Sequence, residues 1–491
     1  MTIMRSALPR KIFLQASKSR FLFLFFLMLL LILTSFSQVR KYVGISTIRA
    51  TLPEPEVPGS CEGRWIFVYD LDPEFNREFV QNCSSFKKNV DICPYTENGG
   101  MGKGFSYEPN VFADGVWYNT WQFSLEMYFH ERLLRYPCLA PSEESANAFY
   151  VPFYAGMDLT NHVSHPSLKM YREKTHMELL DWLRHQYFFL RNGGFDHFIT
   201  LGHIAFDFKR PKGDSLGSRM LLQPDFQNMV KLTIERDGST PIYSNNEIAV
   251  PYPSYFHPRD ISDIESLTKW SAREAQRSVL VSIAGVRRKQ GQGGLKEKLM
   301  MDCEQDARCT VLICEGHEGV NQSDLSTRSY SFLPISGHSL HESCSFPSIV
   351  LDIFHRSVFC LQPPGESPSR RSFIDSLIAG CIPVIFKRNS AWSQYPSFLP
   401  EDGDAYSVLI PIPEVRRKNV VQILGNISKR KIASMRAQIQ ELLPRILYAH
   451  VNRKYPLIDL LNDGSEFTRP DAFDIAVNEV LSLVRKNVAQ A

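Results

Sequence analysis

Residues 357–386, SVFCLQPPGESPSRRSFIDSLIAGCIPVIF, contain the pattern that decides the fold. The apolar run at 358–361 predicts a strand, and the prolines and glycine at 363–365 end it because they favour a turn. Apolar residues at helical spacing follow, and Gly380 is placed to end that helix. The second apolar run, 381–386, predicts another strand. The stretch is therefore a strand, a loop, a helix and a strand in that order.

The start of this predicted helix has the features of an anion site. Its free backbone N–H groups and the positive end of its dipole favour a negative charge, and Arg370 and Arg371 add two cations beside them. A diphosphate would fit there. Asp375, one turn into the helix, is suited to accept hydrogen bonds from sugar hydroxyls. The combination predicts a nucleotide-sugar site, and the alternative is an ordinary crossover whose arginines are solvated.

Residues 21–36 predict an uncleaved membrane signal anchor. The preceding residues 1–20 contain five Lys or Arg and no acidic residue, which keeps that end cytosolic. The apolar run is slightly short for a spanning helix, so a cleaved signal peptide with Ser35 and Ser37 at its weak cleavage site is the alternative. A short, Phe-rich span suits the thinner early secretory membranes. Residues 37–60 then predict an extended stem, with the body in the lumen.

Sequons and charge agree with a lumenal body. N-x-S sequons at Asn82, Asn321 and Asn426 are predicted glycosylation sites. The first 50 residues carry eight Lys or Arg and no acid, so the rest is mildly acidic although the whole chain has a net charge of +3. A nucleic-acid-binding protein would need a basic domain with clustered arginines, and this composition argues against one.

All ten cysteines lie beyond the predicted anchor, where an oxidising lumen would pair several of them. Four lie in the N-terminal half and four lie at 303–344, two even sets whose connectivity the spacing does not decide. Cys360 and Cys381 fall in predicted core strands and are expected to be free, buried thiols. A zinc site is not predicted, because the sequence has no CxxC pair.

The chain after the stem divides into two predicted α/β domains, residues 61–255 and 256–485. Prolines at 251, 253 and 258 exclude regular helix and disfavour a central strand, so they predict an extended connector. On both sides of it, apolar strands alternate with helical stretches, which is typical of doubly wound sheets. Two facing Rossmann-like domains with a phosphate site in the second define the GT-B architecture, whose cleft lies between the halves.

Several stretches resemble the exostosin-like glycosyltransferase family, and within it the plant xyloglucan galactosyltransferase branch. They follow in order from residue 61 to about 484: FVYDL at 67–71, YVPFYAG at 150–156, DHF at 196–198, FDFKR at 206–210, PYP at 251–253 and the 357–386 block. The resemblance implies a Golgi type II enzyme that transfers galactose from UDP-galactose, with inversion, to xylosyl side chains of xyloglucan. Related enzymes use galacturonate or arabinose nucleotides, so another UDP-sugar donor or hemicellulose acceptor is the alternative.

Two segments depart from the pattern of that family. Close relatives usually show a basic residue and then Trp-Asp-Phe-Arg-Arg where residues 202–210 of this chain contain His203 and Phe206. The donor loop reads Pro-Gly-Glu-Ser, with Glu366, where Gln-Gly-Asp-Ser is commoner. These changes leave the fold untouched and bear on the identity of donor and acceptor.

The expected donor contacts all lie in the second domain. They are Arg288, Gly365, Glu366, Ser367, Arg370, Arg371, Asp375 and Trp392. Arg288 ends a turn that resembles the Ala-Gly-x-x-Arg turn of the family, with a solvated loop charge as the alternative. Trp392 follows the second strand of the 357–386 block, near the expected donor pocket.

An inverting transfer needs a general base that takes the proton of the attacking hydroxyl, and groups that hold the charge growing on UDP. The base is expected from the first domain, and the candidates are Asp207, Asp158 and His203. Their spacing is not distinctive, and a carboxylate at a strand-end turn is more often a helix cap or a turn former.

No metal or other cofactor is predicted. Asp70 and Asp72 have the spacing of a DxD motif, but they lie in a turn of the acceptor-side domain and are interpreted as solvated acids, and arginines with a helix dipole can replace a cation. The remaining alternative is a catalytically inactive glycan-binding scaffold in a Golgi complex with other cell-wall glycosyltransferases. A glycoside hydrolase is disfavoured, because it would need two carboxylates flanking the bond and no nucleotide site.

Overall fold

The structure, a computed structural model, describes most of the chain beyond residue 60. The described residues are 61–86, 91–211, 216–236, 246–287, 294–314, 340–342, 344, 346–365, 367–453 and 470–490. The predicted tail, anchor and stem lie outside them, as do Arg288, Glu366 and Asn321. Within the described ranges, no helix combines the length and the apolar character needed to cross a membrane. All of these residues belong to the compact unit Pro55–Ala491.

The first half contains a five-stranded parallel sheet. Its strands are β1 Ile66–Val68, β2 Ala148–Val151, β3 His197–Leu201, β4 Val230–Thr233 and β5 Glu247–Ala249. Its helices are α1 Arg77–Gln81, α2 Cys93–Thr96, α3 Leu125–Leu133, α4 Ala155–Ser164, α5 Lys174–Leu183, α6 Tyr187–Arg191 and α7 Pro224–Asn228. The strands lie in chain order, β1-β2-β3-β4-β5, so the reversal of a doubly wound sheet is not seen among them and the first domain departs from that prediction.

Alternate side chains of these strands enter two apolar clusters, one on each face of the sheet. On β2, Phe149 and Val151 pack with the apolar residues of α5 and α6. Tyr150, between them, belongs to the cluster that contains α3 and Phe198 of β3. Both faces of a parallel sheet must be covered, because its strands are apolar on both sides.

The second half contains a six-stranded parallel sheet. Its strands are β6 Val279–Gly285, β7 Cys309–Cys314, β8 Leu340–Glu342, β9 Ser357–Gln362, β10 Ile382–Ile385 and β11 Val408–Leu409. Its helices are α8 Ile261–Ser271, α9 Leu295–Glu304, α10 Pro347–Arg356, α11 Arg371–Ile378, α12 Ile412–Val415, α13 Val420–Gly425, α14 Lys429–Ile446 and α15 Ala472–Gln490. The order β8-β7-β6-β9-β10-β11 reverses between β6 and β9, which is the doubly wound arrangement that the sequence predicted.

The strand, helix and strand predicted from residues 357–386 are β9, α11 and β10. The two strands are parallel neighbours, with Phe359 opposite Ile382. Gly380 follows the helix with φ +66°, and a Cβ there would lie 2.3 Å from the carbonyl oxygen of Ser271. The glycine is therefore required both by the left-handed backbone and by the close approach. Two parallel α/β sheets of this kind form a GT-B-like fold.

The C-terminal helix α15 returns to the first sheet, although the sequence places it in the 256–485 half. It packs against β4 and β5. Just before it, Asp471 accepts a 2.8 Å hydrogen bond from the buried guanidinium of Arg132 on α3. The helix thus lies on the same face of the first sheet as α3, where Phe473 contacts Phe129 with ring centres 5.1 Å apart, and it joins the chain end to the first half.

The ten cysteines form five disulfides. Four of these stay within the two predicted sets, namely Cys61–Cys138, Cys83–Cys93, Cys303–Cys309 and Cys314–Cys344. The prediction of free thiols at Cys360 and Cys381 was wrong, because these residues form the fifth disulfide with a Cα–Cα distance of 5.9 Å. Adjacent parallel strands bring them together, since β10 begins directly after Cys381 and pairs with β9.

Candidate active site

A cavity of about 1010 Å³ lies at the carboxyl ends of both sheets. Segments that follow β3, β4 and β5 line it from the first half. The ends of β6 and β7 and segments that follow β8, β9 and β10 line it from the second half. Six of the residues predicted from the sequence are in its wall, namely Asp207, Gly365, Ser367, Arg370, Arg371 and Asp375. The switch point between β6 and β9 opens into it, as expected of a ligand site in an open α/β sheet.

Arg371 connects the two halves at this cavity. Its Nη1 donates a 2.8 Å hydrogen bond to the carbonyl oxygen of Thr120, and its Nη2 donates to the hydroxyl of Tyr255. The guanidinium carbon lies 4.2 Å from the centre of the Tyr255 ring. Burial lowers the pKa of Arg371, and Asp375, 3.4 Å away, acts against that shift. The charge is thus held in a fixed orientation at the start of α11.

Arg370 lies beside it at the donor loop. Its Nη1 donates to the carbonyl oxygen of Pro363. The N–H of Gly365 donates to the carbonyl oxygen of Ser367 at 3.0 Å, which closes the turn between β9 and α11. Burial lowers the pKa of Arg370. A partly buried cation of this kind gains free energy when an anion enters, because the anion replaces the lost hydration.

Asp375 lines the cavity but is already bound by the protein. Ser254 donates a 2.5 Å hydrogen bond to its Oδ1, and Arg371 approaches its Oδ2. Burial raises the pKa of this carboxyl group. These contacts orient Arg371, and the binding of sugar hydroxyls by Asp375 stays a prediction.

Asp207 and His203 form a hydrogen-bonded pair on the first half. Nδ1 of His203 lies 3.2 Å from Oδ2 of Asp207, and Nη2 of Arg210 donates to Oδ1 at 2.6 Å. Burial acts to raise the pKa of Asp207, but the hydrogen bonds and charges of His203 and Arg210 outweigh it and lower that pKa. Asp207 is therefore an ionised carboxylate, with the Arg210 guanidinium at Oδ1 and the His203 imidazole at Oδ2.

The His203 ring is held from three sides. It stacks on Phe123 with ring centres 4.0 Å apart, and its Nε2 lies 2.9 Å from the hydroxyl of Thr160. The preceding residue, Gly202, donates its N–H to the buried carboxyl group of Glu126 at 2.8 Å. These contacts fix the loop after β3 at the cavity, with Phe123 in its wall.

Asp158, the third predicted base, is not among the described residues that line the cavity. It lies on α4, where Thr175 donates a 2.9 Å hydrogen bond to its Oδ1. Nδ1 of His162 is 3.3 Å from the same oxygen. These contacts give Asp158 a structural role between α4 and α5.

Glu235 lines the cavity two residues beyond β4 and was not predicted. Its side chain is 5 % exposed, and its Oε2 accepts the N–H of Ser369 at 2.6 Å and the Ser369 hydroxyl. Burial raises the pKa of Glu235, and the charge of Asp207 adds to that rise. A carboxylate of the first half thus reaches the segment that leads into α11.

Phe206 forms an exposed apolar part of the cavity wall. Its side chain is 46 % exposed, and the Arg210 guanidinium carbon lies 4.4 Å from its ring centre. Leu216, which is 57 % exposed, lines the same cavity. An exposed aromatic ring beside polar groups suits a flat sugar face.

Trp392 and Asp70 lie apart from the wall that the described residues form. The indole N–H of Trp392 donates a 2.8 Å hydrogen bond to Ser407, so its polar edge is used within the second half. Asp70, whose side chain is 91 % exposed, pairs with Arg77. Neither residue is brought to the arginines at α11.

The two predicted glycosylation sites within the described ranges are exposed. Asn82 follows α1, next to the Cys83–Cys93 disulfide, and Asn426 follows α13. Both positions are open to a bulky modification without displacing core residues.

Residues 60–427 match the exostosin GT47 domain, a span well over half of the chain. The chain belongs to the exostosin GT47 family. An Arabidopsis thaliana relative named probable xyloglucan galactosyltransferase GT20 is 36% identical to this exostosin GT47 protein over 436 residues, covering 88% of this chain and 69% of the relative. Xyloglucan galactosyltransferase MUR3 of the same plant is 32% identical over 456 residues, covering 91% and 67%.

The chain is also similar to a third plant relative and, far more weakly, to a solved structure. The Arabidopsis thaliana protein named xyloglucan-specific galacturonosyltransferase 1 is 35% identical over 436 residues, covering 88% of this chain and 59% of that protein. The solved structure of Anabaena Alr3699/HepE in complex with UDP and glucose is 9% identical with a TM-score of 0.32, covering 86% of this chain and 99% of that chain.

Two cavity residues of this exostosin GT47 protein had no clear sequence signal. Glu235 follows a four-residue strand, and its partner Ser369 is 134 positions away, so no local spacing reveals the contact. Tyr255 belongs to the proline-rich connector, which predicted an extended chain but not that its ring would meet Arg371. One signal was available for Glu235, namely an acidic residue directly after an apolar strand.

Proposed function

We propose that the protein is an inverting glycosyltransferase that moves galactose from UDP-galactose to xylosyl side chains of xyloglucan, in cell-wall polysaccharide synthesis. The observation that carries the proposal is the shared cavity, where Arg370 and Arg371 at the start of α11 lie with the carboxylates of Asp207 and Glu235. Membership of the exostosin GT47 family and the names of the Arabidopsis relatives support the sugar and the acceptor.

In this proposal the diphosphate of UDP binds at the start of α11. The helix dipole and the two arginines stabilise the charge that grows on the departing UDP. Arginine has an ordinary pKa far above neutral, so both side chains stay charged although burial lowers their pKa. No metal ion is included, since these fixed charges act where a cation would.

The acceptor enters from the side of the first half. Asp207, which lines the cavity and is held by His203, offers carboxylate oxygens to sugar hydroxyls. The exposed ring of Phe206 offers a face for a pyranose. A polysaccharide acceptor needs an open site, and the segments after β3 supply one side of it. An ordered acceptor raises the rate by placing the attacking hydroxyl in line with the anomeric carbon.

A galacturonate donor is the second candidate. The 35% identity to xyloglucan-specific galacturonosyltransferase 1 favours it. A uronate carboxylate would need a cationic neighbour, and Arg210 and Arg236 line the same cavity. Either donor uses the same fold and the same single displacement.

We further propose that the protein is a single-pass type II protein of the Golgi membrane, with residues 21–36 as its anchor and its body in the lumen. The five disulfides support an oxidising compartment. The exposed sequons at Asn82 and Asn426 agree with it.

The test is release of UDP by the full-length protein in microsomes, with a panel of UDP-sugars and xyloglucan oligosaccharides. We expect turnover with UDP-galactose, and a loss of about 10- to 100-fold in kcat/KM for Arg370→Gln, because a charged contact to phosphate is removed. Arg370 is preferred to Arg371, whose side chain also joins the two halves.

The matched control is Arg416→Gln, which removes an exposed arginine that does not line the cavity. It should keep the wild-type rate. Turnover with UDP-galacturonate instead would keep the mechanism and replace the donor. Binding of UDP without turnover on any acceptor would contradict the proposal and favour an inactive glycan-binding scaffold.

A further inference from the structure

Glu235 is a buried carboxylate that the mechanism above leaves unused. It belongs to the first half, yet its Oε2 binds the N–H and the hydroxyl of Ser369, directly before α11. The Ser369 hydroxyl also lies 3.1 Å from that of Tyr252. Glu235 is therefore held where the acceptor side of the cavity meets the donor side.

Its surroundings keep Glu235 a stronger base than Asp207. The partners of Glu235 are hydroxyl and N–H groups, and burial raises its pKa. Asp207 has Arg210 on one oxygen and His203 on the other, and its pKa is lowered. A general base works best when its pKa lies close to the working pH, so the raised pKa favours Glu235.

The other titratable and charged groups near Glu235 do not compete for this role. Tyr252 and Tyr395, which face it from the connector and from the segment after β10, are phenols whose pKa burial raises further. Arg370 and Arg371 share the cavity and suit an anion. Asp158, the other predicted carboxylate, lies outside the cavity wall that the described residues form, where it is bound by Thr175 of α5 and His162 of α4.

We propose that Glu235 is the general base of the transfer, a role that rests on the proposed function. Its carboxylate takes the proton of the attacking acceptor hydroxyl. The oxygen electron pair of that hydroxyl forms the new bond to the anomeric carbon, and the bond from that carbon to the UDP oxygen breaks with its electron pair on UDP. The proton on Glu235 then passes to water. Asp207 binds the acceptor, and His203 orients Asp207.

The first test is Glu235→Gln in the full-length protein. Glutamine keeps the length and an oxygen acceptor for Ser369, but it does not take a proton at neutral pH. We expect kcat to fall by about 10²- to 10⁴-fold while the affinity for UDP stays within a few-fold of wild type. In wild type, kcat/KM should rise with pH through the pKa of Glu235, and this acid limb should be missing from the variant.

Two further variants separate chemistry from folding. Glu401→Gln replaces an exposed glutamate outside the cavity and should keep the wild-type rate. In Glu235→Ala, added formate should restore part of the lost rate by acting as an external base, which a residue with a merely structural role would not allow. This rescue can be read even where Glu235→Gln is poorly folded.

The outcomes are distinguishable. An active wild type with a Glu235→Gln variant within about fivefold of its kcat would overturn the role of Glu235 alone. Absence of rescue in a folded Glu235→Ala variant that binds UDP would do the same. A wild type that turns over no UDP-sugar would overturn the proposed function together with this role.

Discussion

Arg371 is bound on three sides before any ligand enters. The carbonyl oxygen of Thr120 and the hydroxyl of Tyr255 accept from its guanidinium, and Asp375 lies one helical turn away. A charge that is already oriented needs no reorganisation when negative charge develops on a leaving group, and this is the main source of electrostatic catalysis. The residues around Arg371 therefore fix the orientation of the charge that the proposed reaction uses.

The first residue-level prediction concerns Phe206. Its ring is 46 % exposed in the cavity wall, and stacking on a pyranose of the acceptor would bury much of that surface. We expect Phe206→Ala to raise KM for xyloglucan oligosaccharides by about 5- to 10-fold, equivalent to about 1 kcal/mol of lost stacking. KM for UDP-galactose should stay unchanged. Initial-rate kinetics with each substrate varied in turn would measure both.

The control for Phe206 is Tyr187→Ala, which removes an exposed aromatic ring of α6 outside the cavity wall. It should leave both KM values unchanged. Phe206→Trp should keep the low KM, since the larger ring offers the same face. An equal rise of both KM values in Phe206→Ala would show a loss of fold and not of stacking.

The residues at the start of α11 could be predicted because their signal is local. Arg370 and Arg371 follow a loop that must turn, and they precede a helix with a clear apolar period. The role of Asp375 was less accessible, because its partner Ser254 is 121 positions away. Trp392 was predicted near the donor pocket, but its indole N–H donates to the hydroxyl of Ser407. Contacts between distant segments leave no periodic trace in a sequence.

At the scale of elements, the order of the strands decides where the site lies. The β9–α11–β10 unit follows from local patterns, but the pairing of β9 with β6 joins segments that are far apart in the chain. That pairing creates the switch point. The disulfide between Cys360 and Cys381 has the same origin, since burial in a core strand says nothing about which strand lies next to it.

This disulfide gives an element-level prediction. It closes a loop of 21 positions that contains the donor loop and α11. In the chain-entropy model, replacing both Cys360 and Cys381 by alanine should lower the free energy of unfolding by about 3 kcal/mol. The same change should raise KM for UDP-galactose, because the strands on both sides of the donor loop lose their link. Urea unfolding and initial rates would measure the two effects.

The Cys303–Cys309 disulfide provides the matched control in the same sheet. It joins α9 to the start of β7, away from the carboxyl ends, across 6 positions. Replacing both cysteines by alanine should cost about 2 kcal/mol in the same model and leave KM for UDP-galactose unchanged. A rise of KM in both double variants would mean that general destabilisation, not the donor loop, controls donor binding.

At the scale of the whole molecule, hydrogen bonds tie the connector and the first sheet to the second half. The hydroxyl of Tyr395, after β10, donates to the carbonyl oxygen of Ile234 at 3.1 Å. The hydroxyl of Tyr448 donates to the carbonyl oxygen of Pro251 at 2.8 Å. His257 lies among them, with Nδ1 2.9 Å from the carbonyl oxygen of Tyr448 and Nε2 2.8 Å from Thr120. A buried imidazole thus joins the connector to a residue of each half.

Acid should weaken this arrangement through His257. Burial lowers the pKa of His257 from the ordinary 6.5 to about 3, and the charge of Arg132 adds to that shift. Below pH 6.5 the unfolded chain binds a proton there and the folded chain does not, so the free energy of unfolding falls by about 1.4 kcal/mol per pH unit down to about pH 3. Urea unfolding at pH 7.5, 6.5 and 5.5 should show a shallower decline for His257→Gln than for wild type, although the variant starts about 1 to 3 kcal/mol less stable. The exposed His185→Gln variant is the control, and equal slopes for wild type and His257→Gln would contradict the prediction.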